Sequence, residues 1–332
     1  MPVPLVDPFA RRVRDLRISI TDRCNFRCAY CMPEEGMDWL AREELLTYEE
    51  IVAIARVCVE RFGFDAIRLT GGEPLVRAHV ARLVEMLAPL GVDLALTTNG
   101  VRLPELAHDL ASAGLRRVNV SLDTLRRERF LALTRRDDLD RVIEGIDAAC
   151  DAGLAPVKVN TVVMRGVNDD EVVDLARFGR DRGVGVRFIE FMPLDAQGEW
   201  TAEKVVPARE ILERIDAVFP LEAVGAGAHV EPAARHRYRD GVGDVGVIPS
   251  VTEPFCDNCD RVRLTAEGRF RTCLFSLDET DLRAVLRDGP AAGAAERVAG
   301  AITAAVGAKW AGHRIGHADF VRPDRSMSQI GG

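Results

Sequence analysis

Short apolar runs alternate with longer amphipathic stretches along residues 1–200. The runs at 16–20, 66–70, 94–98, 117–121, 157–163 and 185–191 are rich in Leu, Ile and Val, and most stop at Gly, Asn, Asp or Pro, as strands do. Helical periodicity fills the gaps at 47–62, 79–87, 103–113, 139–152 and 170–182, and the last three end beside Gly114, Gly153 and Gly183. Thr47 followed by Glu50 reads as a capping box at the head of the first helix. Strand and helix alternating in this way predict βα units and a parallel sheet. Six units rather than eight predict an α/β fold built as an incomplete (βα)6 TIM-like barrel. The pattern changes after about Trp200, so residues 1–200 are expected to form the partial barrel and residues 201–332 a C-terminal extension.

In parallel α/β barrels sites form at the C-terminal ends of the strands. Those ends carry a cysteine loop at 24–31, the turn Gly71-Gly72-Glu73-Pro74, Thr97-Thr98-Asn99, Ser121-Leu122-Asp123, Asn160-Thr161, and Glu190-Phe191-Met192-Pro193. Nearly every polar or metal-binding feature is therefore expected on one rim.

Composition narrows the class. A formal net charge of -8 over 332 residues argues against a dedicated nucleic-acid surface. Residues 1–16 hold no apolar signal core, and no apolar run approaches the ~18 residues of a membrane span. A cytoplasmic enzyme without nucleic-acid or membrane partners is expected. Basic residues are almost all Arg; Lys occurs only at 158, 204 and 309, which draws notice to each.

Eight cysteines without a signal peptide read as metal ligands or core residues, not disulfides. Cys58 and Cys150 lie in Ala- and Val-rich helical stretches and are expected to be small buried hydrophobes. Cys24, Cys28 and Cys31 place three thiols in one loop with no fourth nearby. A structural zinc would use four closed ligands, and the bacterial ferredoxin run has another spacing. Thiolates suit iron–sulfur chemistry best, with one iron left open for a small molecule. Cys256, Cys259 and Cys273 repeat the arrangement, again without a fourth Cys or a His at suitable spacing. Arg261 and Arg263 alternate beside them as on a strand, pointing to one face. Two guanidiniums next to a metal site suit a phosphate-bearing substrate, although an Arg-x-Arg alone would be a solvated strand face.

The C-x3-C-x2-C loop with Tyr30 before its last Cys, followed one strand later by Gly71-Gly72-Glu73-Pro74, resembles the radical S-adenosylmethionine (SAM) superfamily. Within it the chain resembles the GTP 3′,8-cyclase family of molybdenum cofactor biosynthesis. The resemblance runs from about Asp7 to the C-terminus, through the stretches 16–25, 68–77 and 96–100 and the second cysteine block. It implies two [4Fe-4S] clusters: one on Cys24, Cys28 and Cys31 that binds SAM, and one on Cys256, Cys259 and Cys273 whose open iron meets guanine. Tyr30, Gly72, Ser121 and Met192 match SAM contacts; Arg17, Arg68, Thr97, Lys158, Arg261 and Arg263 match GTP contacts. Arg17, Arg261, Arg263 and the tail glycines Gly331 and Gly332 match residues needed for activity. The implied reaction abstracts hydrogen from C3′ of GTP and joins C3′ to C8. It implies an electron donor of flavodoxin type, a downstream enzyme that forms the cyclic pyranopterin, and a monomer or homodimer. A radical SAM peptide-modifying enzyme would usually carry more auxiliary cysteines, and a non-enzymatic electron carrier would need neither the glycine turn nor so large a barrel. The basic run 235–239 is expected to be a solvated loop, and His313 and His317 are assigned no role.

Overall fold

The computed structural model describes residues 2–195, 197–225 and 232–331. A short antiparallel pair, β1 (Leu5–Val6) and β2 (Arg12–Val13), precedes the main sheet. The six apolar runs form β3 (Asp15–Ser19), β4 (Ala66–Thr70), β5 (Asp93–Thr98), β6 (Arg117–Ser121), β7 (Val157–Val163) and β8 (Gly185–Glu190). All are parallel and pair in sequence order. Helices α1 (Tyr48–Phe62), α2 (Val80–Leu87), α3 (Leu103–Ser112), α5 (Leu139–Asp151) and α6 (Val172–Arg182) fall where periodicity places them, with α4 (Arg127–Thr134) added before α5. Thr47 and Glu50 close the capping box on α1. The start of α4 is crowded with charge, which hides the apolar pair Phe130 and Leu133 that it buries.

The strands alternate strictly between two environments. Leu16 and Ile18 of β3 and Ile67 and Leu69 of β4 are essentially fully buried, while Arg17, Arg68 and Thr70 between them line the barrel's inner cavity. Period-two side-chain direction thus puts the hydrophobic core outside the sheet and leaves its inner face polar.

Residues beyond 200 extend this same sheet at both edges. After α7 (Ala208–Asp216) come β9 (Leu221–Ala223), β10 (Ala234–Tyr238), β11 (Asp244–Ile248), β12 (Arg261–Leu264), β13 (Arg269–Arg271) and β14 (Thr280–Asp281), then α8 (Leu282–Arg287), α9 (Ala294–Gly307) and α10 (Met327–Ile330). The full order is β14-β13-β12-β3-β4-β5-β6-β7-β8-β11-β10-β9. Strand β11 lies parallel on β8, and β12 lies parallel on β3, so neither edge of the six-stranded unit is left bare.

Two sequence expectations fail locally. The basic run 235–239 is no loop: most of it is β10, paired antiparallel with both neighbours. Tyr238 is its one buried anchor, and the exposed Arg235 and Arg237 mask the strand pattern. Cys58 is buried as expected, but Cys150 is exposed on α5; its alanine neighbours mark helix propensity, not burial.

One buried carboxylate ties the extension to the barrel. Glu190, at the end of β8, is fully buried and accepts from the backbone N–H of Ala208 (2.8 Å), Val251 (2.7 Å) and Thr252 (2.8 Å) and from the Thr252 hydroxyl. It is a structural staple of the rim, not a group facing ligand alone. Glu190→Ala would leave these buried donors unpaired, so equilibrium unfolding of the metal-free protein should show a loss of about 3 kcal/mol or more; an unchanged denaturation midpoint would contradict that role.

Candidate active site

A cavity of about 640 Å³ fills the barrel interior. Cys24, Cys28 and Cys31 lie on its wall in the loop after β3. Helix α4 seats that loop: Arg27 N–H donates to Thr134 O (3.0 Å), Ala29 N–H donates to Leu133 O (2.9 Å), and Phe26 meets Phe130 edge-on at 5.7 Å. The Arg27 guanidinium donates to the carbonyls of Cys24 (2.7 Å) and Phe26 (2.8 Å).

The glycine turn braces the loop from the other side. A Cβ on Gly71 would sit 2.3 Å from Thr21 O, and one on Gly72 2.4 Å from Arg23 O. Gly72 N–H donates to Thr21 O (2.9 Å) and Glu73 N–H to Arg23 O (2.8 Å). The close approach that requires glycine is therefore backbone on backbone, locking the end of β4 to the root of the cysteine loop. Glu73 carries the lock to β5, accepting from the Thr98 hydroxyl and Asn99 N–H, both at 2.6 Å. The Asn99 side chain in turn donates to Asn25 Oδ1 at 2.7 Å.

Without a cation these thiols stay protonated. Burial pushes Cys24 up to about 12 and Cys31 up to about 11; burial and the other two thiols raise Cys28 well above its ordinary value. A positive centre would reverse that balance. Cys24, Cys28 and Cys31 line the same cavity wall and lie close enough to perturb one another's ionisation, and a set of thiolates suits iron–sulfur chemistry. The residues present therefore fit a cluster.

Opposite this loop stands a row of guanidiniums. Arg263 of β12, Arg17 of β3 and Arg68 of β4 are direct cross-strand partners, and all line the cavity. Burial lowers Arg17 to about 9, with Arg261 adding to it, and lowers Arg68 to about 10; burial and then Arg17 push Arg263 well below its ordinary value. Arg17 Nε and Arg68 Nε and Nη1 are buried without hydrogen-bond partners, and the Asp15 carboxylate lies 3.9 Å from Arg17 Nε. Unpartnered buried donors beside like charges describe an anion site. Arg261 also lines the cavity, 4.5 Å over the Phe255 ring.

The second set of thiols lies behind this row. Cys256 and Cys259 flank a 3₁₀ turn and Cys273 follows β13, all partly buried. Their neighbours Phe255, Asp260 and Leu274 line the cavity, whereas the three cysteines do not. Burial raises Cys256. At Cys259 burial acts in the same direction, but Arg261 and Lys309 outweigh it and lower the thiol, which favours thiolate.

The tail enters the barrel between these features. Ser328 hydrogen-bonds the Cys31 thiol, and Arg263 donates to Gly331 O and to Ile330 O (3.3 Å). Gly331 has φ +70, and a Cβ there would lie 2.7 Å from Ser19 Oγ and 2.5 Å from Thr70 Cγ2. Only glycine fits. Gly332 lies outside the described residues.

Among the other sequence-marked residues, Tyr30, Gly72, Thr97, Ser121 and Met192 line the cavity. Lys158 lies on the same side of β7 as Asn160 and directly opposite Asn119 of β6, but is not itself among the lining residues. Asp123 and Asn160, placed on the rim but given no role, and Asn119 and Arg187, not singled out, also line the cavity. Tyr30 donates to Asp123 Oδ2 at 2.6 Å, and burial pushes Asp123 up to about 6. Asn119, Asn160 and Arg187 line the wall, and their positions on the inward register of β6, β7 and β8 were the available signal.

Residues 18–179 match the model of the radical SAM superfamily, and residues 184–315 match the model described as Molybdenum Cofactor Synthesis C. Streptococcus suis SuiB bound to S-adenosylmethionine shares the fold, with a TM-score of 0.59 and 15% identity over 85% of this chain and 68% of that one. Methylornithine synthase (PylB) gives a TM-score of 0.51 and 18% identity over 63% of each chain. A parallel partial barrel with three thiols beyond its first βα strand and this glycine turn beyond its second places the protein in the radical SAM class. The GTP 3′,8-cyclase of Streptomyces coelicolor is 50% identical over 99% of this chain and 96% of its own length. Those of Corynebacterium glutamicum and Rhodopirellula baltica are each 46% identical, over 99% and 100% of this chain and 89% and 93% of their own. The chain belongs to the GTP 3′,8-cyclase family.

Glu73 makes the buried rim sensitive to pH. Burial pushes its carboxyl from 4.5 up to about 7, against the hydrogen bonds from Asn99, Thr98 and Leu75. The folded state thus holds this proton more tightly than the unfolded chain. The stability it contributes is present below the ordinary carboxylate value and is lost as pH rises through about 7. In the metal-free protein, the unfolding free energy of the parent minus that of Glu73→Gln should fall by roughly 3 kcal/mol between pH ~4.5 and ~7.5. A difference that is flat across this range would show that Glu73 does not titrate there.

Proposed function

We propose that this protein converts GTP to (8S)-3′,8-cyclo-7,8-dihydroguanosine 5′-triphosphate, the first step of molybdenum cofactor biosynthesis. Family membership over the whole chain supports the reading. The structural observation that carries it is one cavity bounded at one end by three thiols and at the other by unpartnered guanidiniums. Two [4Fe-4S] clusters and SAM would supply the one-electron reduction and the radical chemistry that hydrogen abstraction from C3′ of GTP requires.

The chain's own residues bind and orient. Cys24, Cys28 and Cys31 hold the first cluster; Cys256, Cys259 and Cys273 hold the second. Arg17, Arg68 and Arg263 meet the charge of the triphosphate with donors that have few protein partners. Arg261, between Cys259 and the cavity, orients the nucleotide against the second site. Thr97 and Lys158 complete the GTP contacts, while Tyr30, Gly72, Ser121 and Met192 surround SAM. Gly331 lies against Ser19 and Thr70, and the Gly-Gly tail helps to exclude water from a radical reaction. The reading requires a one-electron donor of flavodoxin type and an enzyme that takes the product on to the cyclic pyranopterin, in the cytoplasm.

Protein reconstituted anaerobically with iron and sulfide, then given reductant, SAM and GTP, should yield 5′-deoxyadenosine and the cyclised nucleotide together, detected by mass spectrometry. Deoxyadenosine without cyclised nucleotide would overturn the substrate; no SAM cleavage would overturn the reaction class. In the same assay Arg68→Ala should lower kcat/KM for GTP roughly 10- to 100-fold while SAM binding stays intact. An equal loss of both would mean that Arg68 serves the fold instead.

A further inference from the structure

Lys309 is one of the three lysines in the chain, and it is 4% exposed. Its ammonium donates to Cys259 O (3.1 Å) and to Arg261 O (3.0 Å), and it has no carboxylate partner among the described residues. Burying an ammonium against two carbonyls alone is costly. The charged or titratable groups around it are Cys259, Cys273, Arg11 and Asp7. Asp7 is already committed: it sits 2.6 Å from the buried Arg11 guanidinium, which also clamps the carbonyls of Cys256 (2.7 Å), Trp310 (2.5 Å) and Ala311. That pairing leaves Lys309 facing thiols with no carboxylate of its own. With Asp7 paired to Arg11, the groups around Lys309 that could carry negative charge are the Cys259 and Cys273 thiols.

We propose that Lys309 is a positioning residue for the second cluster, fixing the Cys259 segment through two carbonyls and supplying the buried positive charge that balances the thiolates. This rests on the reading that Cys256, Cys259 and Cys273 hold a cluster. The Asp7–Arg11 pair fixes the same block without adding net charge. A fixed positive charge stabilises the reduced, more negative state of the cluster, so Lys309 holds the midpoint potential up.

The test uses the full chain with the first site removed (Cys24→Ser, Cys28→Ser, Cys31→Ser), so that bound iron and spectra report the second site alone. If this chain, folded by circular dichroism, binds no cluster, the reading of the second thiol set fails. If it does, Lys309→Met and Lys309→Arg are compared by iron content, by the electron paramagnetic resonance signal of the reduced cluster and by redox titration. The expected result is a midpoint lowered in Lys309→Met, with the oxidised-to-reduced ratio shifted roughly tenfold toward oxidised at a fixed solution potential, and a midpoint near the parent's in Lys309→Arg. Loss of the cluster in Lys309→Met with retention in Lys309→Arg also supports the proposal. An unchanged midpoint in Lys309→Met overturns it. So does an equal change, or equal loss of cluster, in both variants, because shape and not charge would then be what matters.

Discussion

Arg263, Arg17 and Arg68 stand opposite one another on three adjacent strands, and strand pairing does not bring like charges into register for stability. Directly opposed like charges weaken a sheet, and a poorly screening interior sharpens the repulsion. The row persists because the other face of the same strands over-determines the register. Leu16, Ile18, Ile67, Leu69, Val262 and Leu264 are essentially fully buried, and a one-residue slip would turn all of them inward. Stability is placed on one side of the sheet and ligand chemistry on the other, on alternate residues of the same segments.

Backbone contacts and buried carboxylates then fix the rim that this sheet presents. Gly71 and Gly72 let β4 touch the root of the cysteine loop, Glu73 joins β4 to β5, and Glu190 joins β8 to the segment after β11. These links hold the loop before any cluster is bound. The cluster's thiolates are then the remaining unfavourable element, because burial alone keeps the thiols protonated. Metal binding and thiol ionisation are coupled for that reason.

The ends of the chain close the arrangement. The N-terminal arm contributes Arg11 to the second cysteine block, while the C-terminal tail touches Cys31, Arg263, Ser19 and Thr70. The tail is the segment that bridges the first thiol loop and the guanidinium row directly. A residue larger than glycine at 331 would have to displace two strand ends, so the narrow passage constrains composition as tightly as any catalytic contact does.

Much of this was legible along the chain because its signals are local. Period-two alternation marks the six barrel strands, the 3.6 period marks their helices, Thr47 and Glu50 mark a cap, and both thiol triplets declare themselves by spacing. Signals failed where charge or small residues disguised them: α4 behind its arginines, β10 within a basic run, and Cys150 among alanines on an exposed face. What no local pattern could express was the pairing of β11 with β8 and β12 with β3, or the meeting of Arg11 with Ala311 and of Lys309 with Cys259. Such contacts join segments about 50 to 300 positions apart and depend on where the sheet's two edges lie in space. The amino-acid order determined the strands, their inward residues and the two cysteine triplets. The tertiary structure decided that the first set lines the chamber while neighbours of the second reach its wall, because only a sheet extended from both edges brings residue 263 beside residue 17 and residue 331 against residues 19 and 70.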